Sequence, residues 1–185
     1  MTKMGPRKEA LRYLTDGIHR TIDSIDCALT DHLVDAIYDA DRVFLYGAGR
    51  SGFVARCFAM RLGHLGIPVV RMSIDETDPS GERDLAIVIS GTGATQSSIF
   101  YARSSSDGGT KVGCITENED SRLAEMSDIV IHLDTPRDEK QPEYAPMGTI
   151  FEDSCLIYLD TLVVDLMVHK DETEESMRKR HGQLY

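Results

Sequence analysis

Residues 43–52, VFLYGAGRSG, decide the architecture. Val43 to Tyr46 form an apolar run that passes straight into a glycine turn, and Gly47, Gly49 and Gly52 fit the spacing G-x-G-x-x-G. A strand that ends in such a turn and opens a helix is the first half of a βαβ unit, and its free backbone N–H groups suit a phosphate. The glycines alone suit a dinucleotide. Ser51 adds a hydroxyl inside the loop, which suits a phosphorylated small molecule as well.

Downstream the same alternation repeats. A strand at 42–46 is followed by a helix at about 51–65, whose apolar positions include Phe53, Val54, Cys57, Phe58, Met60 and Leu62. Pro68 precedes a strand at 69–73, and Asp75 to Asp84, with Pro79 and Gly81, reads as a turn. LAIVIS (85–90) is an unbroken apolar run, the mark of a central parallel strand. A helix at 94–106 closes on Gly108-Gly109, a strand follows at 111–116, Ser121 caps a short helix, and DIVIHL (128–133) is the fifth strand. The prediction is α/β with a doubly wound, five-stranded parallel sheet.

Helical segments flank this core. Leu11, Leu14, Ile18, Ile22, Ile25, Leu29, Leu33 and Ile37 recur at steps of three or four, and Thr30 or Asp31 is the expected cap that splits the stretch in two. So long a stripe serves both the sheet and a contact with another subunit. Residues 134–147, with three prolines, read as a loop; a helix from about 148 to 169 is apolar nearly all round, and the charged tail from Asp171 ends in a last short helix. Residues 1–40 are read as a helical part of the same domain, with 41–185 as its α/β body and tail.

Composition narrows the function classes. A net charge of −11 argues against a nucleic-acid surface. No apolar stretch is long enough to span a bilayer, and the polar opening residues do not read as a signal peptide. Cys27, Cys57, Cys114 and Cys155 lie far apart, without C-x-x-C or neighbouring His at metal spacing, so reduced thiols packed as small apolar side chains in a cytoplasmic protein are expected, with no metal and no cofactor.

A second loop weighs against a dinucleotide. That reading needs an acid after the second strand to hold a ribose, and Asp75 and Glu76 are poorly placed for it. The third strand instead ends in Ser90-Gly91-Thr92-Gly93-Ala94-Thr95, a glycine turn loaded with hydroxyls at the start of another helix. Helix-start Ser and Thr usually serve as caps. Three hydroxyls among two glycines also form a phosphate cradle, and in an open parallel sheet both loops lie where ligands bind.

On these residues the chain resembles the sugar isomerase (SIS) domain family: strand-GAGRSG, FAMRLGHLG (58–66) and ISGTGAT (89–95) match its pattern. PMGTIFED (146–153) and MRKRH (177–181) are similar to the 6-phospho-3-hexuloisomerases within it. Ala94 departs, standing where many relatives carry a polar residue. The resemblance implies a flavodoxin-like three-layer αβα sandwich and interconversion of D-arabino-hex-3-ulose 6-phosphate with D-fructose 6-phosphate in the ribulose monophosphate pathway. It also implies a homotetramer and functional coupling to a hexulose-phosphate synthase.

Moving a carbonyl from C3 to C2 needs a base for the C2 proton, and a carboxylate in a partly apolar site is suited to it. Glu152 opens an apolar helix after a glycine turn; a plain first-turn acid fits that spacing equally, and the match to the family's Glu favours catalysis. Asp153 is read as structural. His181, in the family's terminal motif, is the second expected catalytic residue, shuttling protons between sugar oxygens in its own or a neighbouring subunit's site. His64 is a substrate contact or a packing residue. Arg50 either meets the phosphate or pairs with Glu152 and holds the site's shape. The expected substrate contacts are Gly49, Arg50, Ser51, Ser90, Gly91, Thr92, Gly93, Ala94 and Thr95. A phosphosugar-sensing module without turnover, an isomerase of another phosphosugar and a dinucleotide oxidoreductase are the alternatives.

Overall fold

The computed structural model describes residues 5–72 and 79–181. Five parallel strands, β1 (Val43–Gly47), β2 (Val69–Arg71), β3 (Leu85–Ile89), β4 (Lys111–Thr116) and β5 (Ile129–His132), lie in the order β2-β1-β3-β4-β5. Chain order therefore reverses between β1 and β3, which makes their carboxyl ends the switch point of the sheet, where ligands bind in doubly wound folds. The ladder pairs Gly47 with Ile89, so the two glycine loops leave the sheet abreast.

Helices cover both faces. On one lie α2 (Cys27–Asp39), α3 (Arg50–His64) and the long α7 (Thr149–His169), with Leu33, Ile37, Phe58, Leu62, Phe151 and Leu162 in the main core. On the other lie α4 (Gln96–Asp107) and the one-turn α5 (Arg122–Glu125), over Phe44, Val88, Val112 and Leu123. Each such fully buried side chain contributes about 1.5–3 kcal/mol. α1 (Pro6–Asp23) packs on α7, with Gly17 so close to Ile150 that a Cβ there would lie 2.8 Å from its Cδ1. α6 (Gln141–Tyr144) is a single turn within the stretch read as loop, and α8 (Glu174–His181) ends the described chain.

Several expectations are corrected. The split between the first two helices is capped by Asp26, whose carboxylate accepts from the N–H groups of Ala28 and Leu29, and not by Thr30 or Asp31. An acid with extended backbone just ahead of the helix satisfies two orphan donors at once. The N-terminal stripe divides as the two-part reading expects: Leu33 and Ile37 on α2 are buried, whereas Leu29 on α2 and Leu11 on α1, a helix that rests on α7, are exposed. Cys114 and Cys155 are packed inside, but Cys27 and Cys57 are exposed. α7 is not buried all round, since Ile157, Val164 and Val168 face outward. The turn at Asp75–Asp84 and the end of the second strand fall partly outside the described residues, as do Asp75 and Glu76.

The first loop owes its shape to absent side chains. A Cβ at Gly47 would lie 2.6 Å from the Ser51 carbonyl carbon and oxygen, and one at Gly52 would lie 2.5 Å from the Gly47 oxygen. Strand and helix backbones touch here directly. Gly47→Ala is therefore expected to force α3 off β1 and to cost about 2–4 kcal/mol, read as a lowered urea midpoint at unchanged m-value.

Candidate active site

The two loops, the turn before α7 and the β4–β5 side of the sheet enclose a cleft of about 530 Å³. Its walls include Ser51 from the first loop, Ser90, Gly91, Thr92 and Thr95 from the second, and Glu152 from the first turn of α7. A hollow of about 550 Å³ lies at the amino ends of the strands, lined by Asp35, Asp39, Glu82, Asp84 and Asp128. His32, Arg83 and Lys111 line it as well, so charge does not separate the two hollows; the carboxyl-end cleft is the one where both glycine loops converge, the place where ligands bind in doubly wound sheets.

Both loops present helix starts without side-chain caps. The residue ahead of α3 is Gly49, at φ 58°, a left-handed conformation that a glycine adopts without strain. Thr95 precedes α4 and likewise makes no capping bond. Gly52 N–H donates to the Gly49 carbonyl at 3.1 Å, and the absence of side-chain caps leaves the remaining first-turn N–H groups able to meet an anion, aided by the positive helix ends. Ser51 is buried in the cleft wall. In the second loop Ser90 Oγ donates to Thr95 Oγ1 at 3.3 Å, and Thr92 Oγ1 accepts from Ala94 N at 3.2 Å. Thr92 therefore braces its turn, yet its hydroxyl hydrogen remains able to donate. Gly93, at φ 61°, sits where a Cβ would fall 2.0 Å from Ser121 Oγ, the hydroxyl that caps α5. Thr116 Oγ1 and Glu117 N both donate to the Gly91 carbonyl, which ties the loop to the end of β4.

Glu152 is largely shielded, with 15% of its side chain exposed. Burial pushes its carboxyl pKa above the ordinary range; Arg50 opposes this, while the charges of Asp153 and Glu117 add to it. Arg50 Nε pairs with Glu152, and Arg50 Nη2 lies 3.5 Å from Asp153 Oδ1. Of the two readings of Arg50, the structure shows the pairing with Glu152: this side chain does not line the cleft. Gly49, Gly93 and Ala94 also form the backbone of the loops rather than the cleft wall, and Ala94 is exposed.

His181 lies elsewhere in the chain. Its Nδ1 lies 3.0 Å from His64 Nε2, at the far end of α3, and Arg180 reaches the His64 carbonyl at 2.9 Å and pairs with Glu172. The fifteen residues of α3 separate that end from Arg50, about 21 Å at 1.5 Å per residue. His64 is a buried packing residue whose pKa is lowered by burial and then by His181.

Four polar cleft residues were not singled out from the sequence: Glu117, Thr135, Arg137 and Gln141. Glu117 sits one residue past β4, on the carboxyl edge of a parallel strand, and that position was its available signal. Gln141 Nε2 donates to the carbonyls of Ala145 and Met147, both at 2.9 Å. It thereby supports a turn in which Met147 takes φ 60°, a strained value of the kind that collects near functional sites.

If Arg50 restrains the Glu152 carboxyl as this geometry states, Arg50→Gln raises its pKa further. A ¹³C-detected titration of the Glu152 carboxyl checks the direction; an unchanged or lower midpoint contradicts it.

Comparison with known proteins identifies the family. The SIS domain model matches residues 36–161. A 3-hexulose-6-phosphate isomerase of Methanocaldococcus jannaschii is 38% identical over 155 residues, 83% of each chain. That of Bacillus subtilis is 32% identical over 180 residues, covering 95% of this chain and 97% of its own. A crystal structure of a hypothetical protein from Methanococcus jannaschii, with an inferred function of 3-hexulose-6-phosphate isomerase, superposes with a TM-score of 0.83 at 32% identity over 94% of this chain and 97% of that one. With its strand order, paired glycine loops and Glu152 in one cleft, the chain belongs to the SIS domain family, among its isomerases.

Proposed function

We propose that the protein interconverts D-arabino-hex-3-ulose 6-phosphate and D-fructose 6-phosphate through a cis-enediol. The observation that carries this reading is a shielded carboxylate, Glu152, in the same cleft as two uncapped, hydroxyl-bearing helix starts. The relatives named 3-hexulose-6-phosphate isomerase supply the substrate. The phosphate rests on the N–H groups of the first turns of α3 and α4 and on the hydroxyls of Ser51, Ser90, Thr92 and Thr95, with the glycines allowing close backbone approach.

Glu152 removes the C2 proton, and its electron pair forms the C2=C3 double bond as O3 gains a proton. Return of a proton to C3, with loss of the O2 proton, places the carbonyl at C2. The raised pKa brings the carboxyl closer to neutral pH, where a base both accepts and returns a proton efficiently. Arg50 limits that rise and orients the side chain.

The oxygen-to-oxygen transfer is assigned to His181 of a neighbouring copy, because its own Glu152 is about 20 Å away along α3. Outward-facing Phe53 and Met60 on α3, and Ile157, Val164 and Val168 on α7, form an apolar surface suited to that second copy. A homotetramer, a cytoplasmic setting and coupling to a hexulose-phosphate synthase in the ribulose monophosphate pathway complete the proposal.

Coupled assay with a hexulose-phosphate synthase and fructose 6-phosphate, following ribulose 5-phosphate, tests the activity. Glu152→Gln is expected to lower kcat by about 10²–10⁴-fold while fructose 6-phosphate still binds. Full turnover in that variant removes Glu152 as the base; binding without turnover in the wild type makes the protein a sensor. Mixing Glu152→Gln with His181→Asn subunits should restore activity in hybrid oligomers, and no recovery argues against action across subunits.

A further inference from the structure

Glu117 lines the cleft one residue past the end of β4, and no role in the proposed chemistry uses it. Its backbone is held at both ends: its N–H donates to the Gly91 carbonyl at 2.9 Å, and its own carbonyl meets His132 Nε2 at 3.1 Å. Only 12% of its side chain is exposed. Thr135 Oγ1 donates to one carboxyl oxygen, and Arg137 Nη2 approaches the other at 3.4 Å. The second loop makes room for this carboxylate, since a Cβ on Gly91 would come within 3.0 Å of Glu117 Oε2. A carboxylate offers about four acceptor positions; Thr135 and Arg137 occupy two.

An acid beside an anion-binding loop is a liability unless something else lies against it. Like charges repel, so the phosphate keeps to the side of the uncapped helix starts. What a braced carboxylate accepts without penalty is a set of hydroxyl hydrogens, and charge-assisted bonds of this kind are the strong ones. Resting on the phosphosugar reading above, we infer that Glu117, positioned by Thr135 and Arg137, receives the hydroxyls of the open sugar chain and so makes the cleft select polyhydroxylated phosphate esters over the phosphate group alone. Thr135 and Arg137 act through Glu117 as positioning residues. The same carboxylate raises the pKa of Glu152, so the hydroxyl-binding wall and the base are electrostatically linked.

Binding of fructose 6-phosphate and of inorganic phosphate, each measured by titration on the wild type and on Glu117→Gln, tests this. The expected result is a loss of fructose 6-phosphate affinity of about tenfold or more, with phosphate affinity within about twofold. The acid limb of the pH–rate profile should move to lower pH, because removing a neighbouring negative charge lowers the pKa of Glu152. Thr135→Val, which removes only the donor to Glu117, should show a smaller loss of the same kind, and it carries the test if Glu117→Gln does not fold. Unchanged fructose 6-phosphate affinity, or parallel loss of both ligands, overturns the inference while leaving the isomerase reading intact. A wild type that binds phosphate but not fructose 6-phosphate overturns both.

Discussion

Backbone contact between β1 and α3 is the constraint on which the rest depends. Gly47 and Gly52 let the strand and the first turn of the helix meet without an intervening side chain. This aims the amino end of α3 across the sheet's carboxyl edge, beside the amino end of α4, because the Gly47–Ile89 pairing sets the two loops side by side. A bulkier residue at either glycine pushes the helix outward and spreads the two N–H clusters. On the proposed reading the anion site is made by main chain and by strand order, and the Ser and Thr hydroxyls complete it.

An acidic chain that binds an anionic ester has an electrostatic problem, and the cleft shows a solution. The protein carries a net charge of −11, and two carboxylates, Glu117 and Glu152, line the site itself. Positive ends of two helices meet the anion, Arg50 is committed to Glu152 and Asp153, and Arg137 to Glu117. Each acid thus has a guanidinium beside it, and on the proposed reading the dipoles of α3 and α4 serve the phosphate. Burial still prevails over Arg50 at Glu152, whose pKa ends up raised. That balance suits Glu152 to the base role proposed for it.

The end of the chain is tied to the far end of α3. The Arg180–Glu172 pair, the Arg180 bond to the His64 carbonyl and the His64–His181 contact dock α8 there. Hydrogen bonds from Arg180 and Ser176 hold the Glu172 carboxyl down at about 2. Such anchoring keeps His181 in one place at the protomer surface, as a residue needs to be if it completes a site on another copy.

Local signals were enough for the architecture. Period-two and unbroken apolar runs give five strands, three-to-four spacing gives the helices, and Gly47, Gly52 and Ser121 mark turns and caps whose requirements are set within a few residues. The two loops could be read as neighbours in one cleft, because each is a glycine turn opening a helix; Glu152, which lines the same cleft, was singled out by the family resemblance, since spacing alone fitted a plain first-turn acid equally. Where local signals competed, the reading slipped: Asp26, Thr30 and Asp31 can all cap a helix, and only the backbone shows which one does. Glu117, Thr135, Arg137 and Gln141 come from separate connections and become one wall only when β4, β5 and α7 are assembled. The partner of Arg50, the burial that raises Glu152 and the docking of His181 at the far end of α3 are likewise properties of packing. Residue types and spacing determine what chemistry each segment can offer; desolvation and distance between segments remote in sequence exist only once the chain has folded.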